Sequence, residues 1–301
     1  MSSGDHQLSP IVLDVHELTL AMVNNHSVSV IPRHRGKRIA FGWYGGKFSH
    51  LNWLLPLLPT DSHHYCEPFG GSAAVLLNRF PAPVETYNDL DGEVVNFFRV
   101  LRNDFEALQQ VLMLTPFSRE EFYQAIYKDN DDELSPVERA RRFYVRARQT
   151  RNGLAQTATL GRWANCKNTS RAGMSGVISR WLGGVEELPE IAERLLRVQI
   201  ENRPALDIIH VYDAPTTFFY CDPPYLPQTR GDSKAYAYEM GEREHRQLAS
   251  VLNQIQGQAA VSGYRCDLMD MLYQGWRRVD APMKQAHSIK SLRQESLWMN
   301  Y

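Results

Sequence analysis

The most β-prone run in the chain, Thr-Thr-Phe-Phe-Tyr-Cys at 216–221, ends abruptly at Asp222-Pro223-Pro224-Tyr225. Two consecutive prolines forgo two N–H donors and stiffen the backbone, so a strand that meets them stops. The strand end then carries a carboxylate and a phenol ring on a rigid lip. From Phe41 onward, strand-like and helix-like stretches alternate. His63–Glu67 and Val84–Asn88 read as strands, with Ser72–Arg79 and Gly92–Arg102 as helices. Phe117–Tyr127, Pro136–Gln149, an amphipathic Val185–Val198 and Glu242–Ile255 also read as helical, and Ala259–Ser262 as a strand. Such alternation predicts an α/β fold with a mostly parallel sheet, whose ligands bind beyond the carboxyl ends of the strands.

Composition sets the outer limits. Of 301 residues, 43% are hydrophobic and 22% charged, enough to bury a sizeable core and to exclude wholesale disorder. No run of eighteen apolar residues occurs, so no membrane-spanning helix is expected. The polar first ten residues do not read as a signal peptide. Cys66, Cys166, Cys221 and Cys266 share no CxxC spacing and are too sparse for a disulfide framework, which fits a reducing, cytoplasmic setting. No His-rich ligand spacing appears, so no metal is expected. Residues 1–37 read as an N-terminal extension, with a short helix over Ile11–Val23 and basic Arg33, Arg35, Lys37 and Arg38.

The net charge of -1 hides a strong local bias. Between Ala140 and Arg180 stand Arg141, Arg142, Arg146, Arg148, Arg151, Arg162, Lys167, Arg171 and Arg180, with no Asp or Glu among them. Interleaved Asn and Gly residues predict loops there. Basic, polar loops suit a polyanion, and the arginine fork suits phosphate and guanine edges. The plainer reading is a solvated face whose arginines pair with carboxylates elsewhere in the fold.

Three segments fall where such a sheet would hold a ligand. Glu67-Pro68-Phe69-Gly70-Gly71-Ser72 follows a predicted strand and precedes a predicted helix; its glycines let backbone approach a ligand, and the helix would offer free N–H groups. Asp89 ends the next strand, at the spacing where α/β nucleoside sites bind ribose hydroxyls, while Asp91 suits a helix N-cap. Asp222 to Tyr225 is the third.

Taken in order, Trp43-Tyr44-Gly45-Gly46-Lys47, the Glu67-to-Ser72 turn, Asn88-Asp89 and Asp222 to Tyr225 resemble the Dam-like DNA adenine methyltransferases (D12 class, alpha group), which use S-adenosylmethionine. The resemblance covers roughly residues 41–301, and Val261–Tyr264 and Trp298–Tyr301 are similar too. It implies a Rossmann-like core with an inserted, mainly helical and loop target-recognition domain: core over 38–91 and 188–301, insert over 92–187. It implies that Trp43, Lys47, Glu67, Phe69, Gly71, Ser72, Asp89 and Asp222 serve the cofactor. Asp222, Pro223, Pro224 and Tyr225 would hold the target adenine, flipped out of double-stranded DNA, for methyl transfer to its amino nitrogen. Arg148, Arg151, Asn152, Arg162 and Arg171 are the expected DNA contacts. Asn152-Gly153-Leu154 resembles a loop of members that read GATC, but those carry Arg where this chain has Gln156; Arg is the common guanine reader and Gln suits adenine. A cognate restriction nuclease, or none, both remain open. So do RNA adenine or DNA cytosine-N4 methylation, which the Asp-Pro-Pro-Tyr chemistry permits, and a catalytically silent binding module.

Overall fold

Short apolar runs bounded by turn residues become strands where both faces find cover. His64–Glu67 (β1) and Val84–Asn88 (β2) pair in parallel, with His64 opposite Val84 and Glu67 opposite Tyr87. Ser170–Arg171 (β3) and Met174–Ser175 (β4) form a small hairpin apart from the main sheet. Val198–Glu201 (β5), Thr217–Cys221 (β6), Gln258–Tyr264 (β7), Arg277–Asp280 (β8) and Glu295–Met299 (β9) complete that sheet, in the order β5-β2-β1-β6-β7-β9-β8. The first five strands of that order are mutually parallel; β9 runs antiparallel to both β7 and β8. This is the expected mostly parallel, Rossmann-like α/β sheet.

The computed structural model describes residues 36–127, 133–151, 155, 157–171, 173–230, 236–282 and 294–301. The chain divides into Met1–Gly36 and Lys37–Tyr301, and the second unit is the one described. Ile11–Val23, Arg33 and Arg35 lie outside the described residues, as do Asn152, Gly153, Leu154 and Gln156.

The chain leaves β1 toward β2 and β5 on one side, and returns to β6 and β7 on the other. That reversal opens a crevice at the carboxyl ends of β1 and β6, where no crossover helix can cover it. The Glu67 turn, Asp89 and Asp222 follow β1, β2 and β6 respectively, so three separate segments emerge along one edge.

Helices between β2 and β5 flank this edge. Gly92–Asn103 (α1) begins where Asp91 accepts the Glu93 N–H at 3.0 Å, the N-cap that its position suggested. Phe105–Leu114 (α2), Arg119–Ile126 (α3) and Pro136–Gln149 (α4) come next, the last with Ser135 as cap and Pro136 in its first turn. Phe97 of α1 stacks on Tyr144 of α4 at 5.5 Å, and Phe41 meets Phe97 and Phe143 edge-on. One apolar cluster joins these rings to Tyr65 and Phe218 of the sheet. Gly176–Glu186 (α5), Leu188–Leu195 (α6), Ala205–Tyr212 (α7), Glu242–Leu252 (α8) and Asp267–Leu272 (α9) succeed them along the chain. No helix among the described residues is long and apolar enough to cross a membrane.

Two expectations fail for local reasons. Ser72–Arg79 forms a series of turns instead of a helix, because Gly71 (φ 49) and Ala73 (φ 54) take left-handed backbone that no α-helix propagates. Val185–Val198 is not one helix: α5 ends at Glu186, Pro189 sits in the first turn of α6, and Val198 already belongs to β5.

Under the sheet lies a buried charge cluster. Glu85 of β2, fully buried, accepts two bonds from Arg194 of α6 at 2.6 and 2.7 Å, with Arg79 at 3.8 Å. Arg194 also donates to the Leu76 carbonyl, tying the turns after Gly71 to α6. Removing one member of a buried pair strands the other charge. Glu85→Gln is therefore expected to destabilise the fold by about 3 kcal/mol, read as a lower urea midpoint; a loss under about 1 kcal/mol would show that solvent reaches the cluster.

Candidate active site

The site begins with two close approaches. Gly70 donates its N–H to the Asn88 carbonyl at 2.7 Å, which draws the turn after β1 onto the end of β2. A Cβ at Gly70 would collide with the Tyr87 ring, and one at Gly71 would stand 2.8 Å from the Trp43 indole nitrogen. Both positions therefore require glycine. Gly71 donates its N–H to Asp89 Oδ2 at 2.8 Å, and Asp91 donates to Asp89 Oδ1 at the same distance. Asp89 is thus aimed across the glycine turn by backbone alone. The buried Asn88 staples the same corner: its amide donates to the Pro68 and Arg203 carbonyls and accepts from the Arg203 N–H.

Facing this corner, Lys47 brings the amino-terminal Trp43–Lys47 segment across to the end of β6. Its ammonium is buried and lies 2.6 and 2.8 Å from the two Asp222 oxygens, 2.8 Å from the Gly45 carbonyl and 3.5 Å from Glu295 Oε1. Burial by itself would lower the Lys47 pKa, but the Asp222 and Glu295 carboxylates outweigh it and hold the amine above its ordinary value. Burial also raises Asp222, with Lys47 restraining the shift. Tyr225 is buried, donates its hydroxyl to Glu295 and meets Tyr264 edge-on at 4.9 Å. The Lys47 ammonium stands over the Tyr225 ring, 4.9 Å from its centre. Behind the lip, His245 of α8 is hydrogen-bonded through Nε2 to the Pro224 carbonyl at 2.9 Å.

Trp43, Lys47, Glu67, Phe69, Gly71, Ser72, Asp89, Asp222 and Pro224 all line one cavity of ≈ 250 Å³. That is several times the roughly 30 Å³ share of a water molecule, so the space suits an organic ligand. Pro223 and Tyr225 sit behind this lining. Tyr44, Tyr236 and Tyr238 line it as well and Glu295 backs it, and none of these stands out as a site residue in the sequence. Glu295 has no signal of its own: it precedes the family-like Trp298–Tyr301 by three residues, and only the pairing of β9 sets it opposite Tyr264.

The basic segment divides in two. Arg141 pairs with Glu138 and Glu121, Arg142 with Glu138, and Arg146 with Glu93 and the Ala125 carbonyl. Arg148 lies across Gly184 and donates to the Arg180 carbonyl. These four belong to α4 and are engaged by carboxylates and carbonyls, Glu138 from α4 itself and Glu93, Glu121, Ala125 and Arg180 from elsewhere, which reduces the expected footprint. Arg151 and Arg171 are exposed and Arg162 is half-buried. Arg151 bonds Asn165 within the same loop.

Comparison with known proteins gives a consistent result. The family model of the D12 class N6 adenine-specific DNA methyltransferases matches residues 43–294. The Type II methyltransferase M1.LlaDCHI of Lactococcus lactis subsp. cremoris is 30% identical over 193 residues, 62% of this chain and 64% of its own length, so the match spans just under two thirds of that protein. The Type II methyltransferase M.MjaIII of Methanocaldococcus jannaschii is 24% identical over 296 residues, 86% of this chain and 97% of its own. Among solved structures, the rRNA methyltransferase AviRa of Streptomyces viridochromogenes aligns over 83% of this chain and 82% of its own at 14% identity and a TM-score of 0.29, too loose a likeness to carry weight.

Glu67 offers a test of the site's electrostatics. Burial pushes its carboxyl up to about 8, although the Tyr65 hydroxyl donates to it. The folded state then keeps a proton that the unfolded chain, titrating near 4.3, releases. Native stability is accordingly lost as pH rises through this window. Glu67→Gln removes the linkage, so its stability relative to the parent protein should improve between pH 5 and pH 7.5, by up to about 1.4 kcal/mol per pH unit. Urea titrations at the two pH values measure it; a constant difference would mean that Glu67 is ionised in the fold.

Proposed function

From a chain that belongs to the D12 class N6 adenine-specific DNA methyltransferase family, we propose a site-specific enzyme that methylates the exocyclic N6 of an adenine extruded from duplex DNA, with S-adenosylmethionine as donor. The observation that carries this reading is the convergence of the glycine turn, Asp89 and Asp222 on one cavity from three adjacent strand ends.

The residues suit that donor. Asp89 borders the cavity where a hydroxyl-bearing nucleoside would lie, the neutral Glu67 carboxyl offers a further polar contact, and two glycines leave the backbone bare. Asp89 would accept the ribose hydroxyls, with Trp43, Phe69, Gly71 and Ser72 packing around the rest. When bound, S-adenosylmethionine supplies a methyl group on a sulfonium sulfur.

The amino nitrogen of adenine is a poor nucleophile because its lone pair is delocalised into the ring. Asp222 would accept one amino hydrogen and a carbonyl of the Pro-Pro lip the other. That favours a tetrahedral nitrogen and stabilises the positive charge that develops there. His245 fixes the Pro224 carbonyl, one of the two acceptors that this lip offers. Extruding the base costs a few kcal/mol, which stacking on an aromatic ring offsets in part. Tyr225 is the expected ring, and its face opens only once Lys47 shifts away.

Residues 92–187 are read as the part that meets the target, between core segments 38–91 and 188–301. Arg151, Asn152, Arg162 and Arg171 are the foremost DNA contacts. Arg148 would first have to release the Arg180 carbonyl. The Type II designation of both relatives favours a restriction–modification setting.

Expression in a methylation-free host, with modification-sensitive sequencing of its DNA, should show N6-methyladenine at one short motif, absent for a folded Asp222→Ala variant. Methylation that survives Asp222→Ala, or a modified cytosine instead, would contradict the assignment. For the duplex contacts, Arg151→Ala and Arg171→Ala should each lower the slope of log affinity against log salt by about 0.9 where they touch phosphate; slopes equal to the parent's would remove them from the interface.

A further inference from the structure

Lys47 stands where the substrate has to go. Its ammonium takes both oxygens of Asp222, the proposed acceptor for the adenine amino hydrogen, and covers the Tyr225 ring. The amino group therefore cannot reach Asp222 until the ammonium gives up at least one oxygen. A buried ammonium does not simply let go, since losing its counter-charge leaves it neither solvated nor paired.

Glu295 answers this difficulty. It enters from β9, opposite Tyr264 on β7, and is itself buried. Its Oε1 lies 3.5 Å from Lys47 Nζ, farther than either Asp222 oxygen, and the same oxygen accepts the Tyr225 hydroxyl. One ammonium thus sits between two carboxylates, one on the cavity wall and one behind it. We propose that Glu295 is a positioning residue that takes over the Lys47 ammonium when the target amino group displaces it from Asp222. The Gly45 carbonyl, 2.8 Å from Nζ, acts as the pivot that the ammonium keeps throughout. No proton changes hands: the charge on Lys47 stays paired, Asp222 gains the amino hydrogen bond, and the Tyr225 ring is uncovered in the same movement. Glu295 touches neither base nor donor and acts only through Lys47. The inference rests on the reading of Asp222 as the amino acceptor.

The test uses Glu295→Gln, which keeps the side chain's shape and an oxygen for Tyr225 but deletes the charge. The probe is duplex DNA carrying 2-aminopurine at the target position of the mapped site, whose fluorescence rises on extrusion. With Glu295→Gln, Lys47 has Asp222 alone, so the fluorescence rise should fall at least fivefold and kcat at least tenfold. S-adenosylmethionine affinity should stay within twofold, with KM for the donor unchanged. In a Lys47→Met background, Glu295→Gln should change the fluorescence rise by less than twofold, because there is no ammonium left to transfer; this comparison needs no turnover. An extrusion signal equal to the parent's overturns the proposal, as does a loss that persists undiminished in the Lys47→Met background. A Glu295→Gln protein that no longer binds S-adenosylmethionine overturns it too, by placing Glu295 in the fold. Parent protein that methylates no adenine in DNA sinks the underlying reading instead, and the two failures are distinguishable.

Discussion

A single buried ammonium joins the two ends of this molecule's cleft. Lys47 lies on a helical turn that starts immediately after the two glycines of the Trp43–Lys47 segment, while Asp222 is 175 positions further along the chain. Neither charge is stable alone at that depth. An ammonium stripped of its partner in an apolar interior would lose its proton, and a lone carboxylate would gain one. Together they hold the amino-terminal segment against the end of β6, which closes the crevice on the side that the sheet leaves open. The same contact occupies both Asp222 oxygens, so on the proposed reading the bond that assembles the cleft is also the one a substrate amino group would have to displace.

The backbone makes that arrangement possible. A parallel strand can end in a side chain aimed outward only if its neighbours end at the same level, and the register between β2, β1 and β6 does this. Corner bonds then remove the remaining freedom. The Asn88 amide ties the two strand ends to the segment before α7, and both Asp89 oxygens take backbone donors. Side chains held so firmly need little rearrangement when a ligand enters.

Much of this is legible from residue order. β1, β2, β6, α1 and α4 lie within a residue or so of their expected bounds, because each is bounded by turn residues or a cap. The cavity's charged lining is legible in part: Glu67 and Asp222 each stand beside a proline at a strand end and Asp89 stands just past the end of β2, whereas Lys47 is reached only through the family resemblance and Glu239 and Glu244 are not reached at all. Nor is Glu295, since its partners Lys47, Tyr225 and Tyr264 come from other strands and turns and nothing local distinguishes it. The stretch after Gly71 misleads for the opposite reason. Ser-Ala-Ala-Val-Leu-Leu reads as a strong helix, yet its backbone is pinned by Arg194 on Leu76 and by left-handed Gly71 and Ala73.

The basic segment shows why local charge is a weak guide to partners. No acid lies between Ala140 and Arg180, and a window confined to those residues sees only repulsion. Folding supplies Glu93, Glu121 and Glu138 from outside the window, and α4 aims Arg141, Arg142 and Arg146 at them. An arginine already bonded to a carboxylate in a half-buried place gains little from leaving it for a solvated phosphate, so Arg141 and Arg146 brace the helix against its neighbours and Arg142 pairs along it. Of the four cations left facing solvent, Arg151, Lys167 and Arg171 lie beyond the end of α4 and beside the β3–β4 hairpin, and Arg180 lies on α5. The two groups are thereby separated: the inward arginines stiffen the platform, and the outward ones present their charge to solvent, where the proposed duplex would meet it.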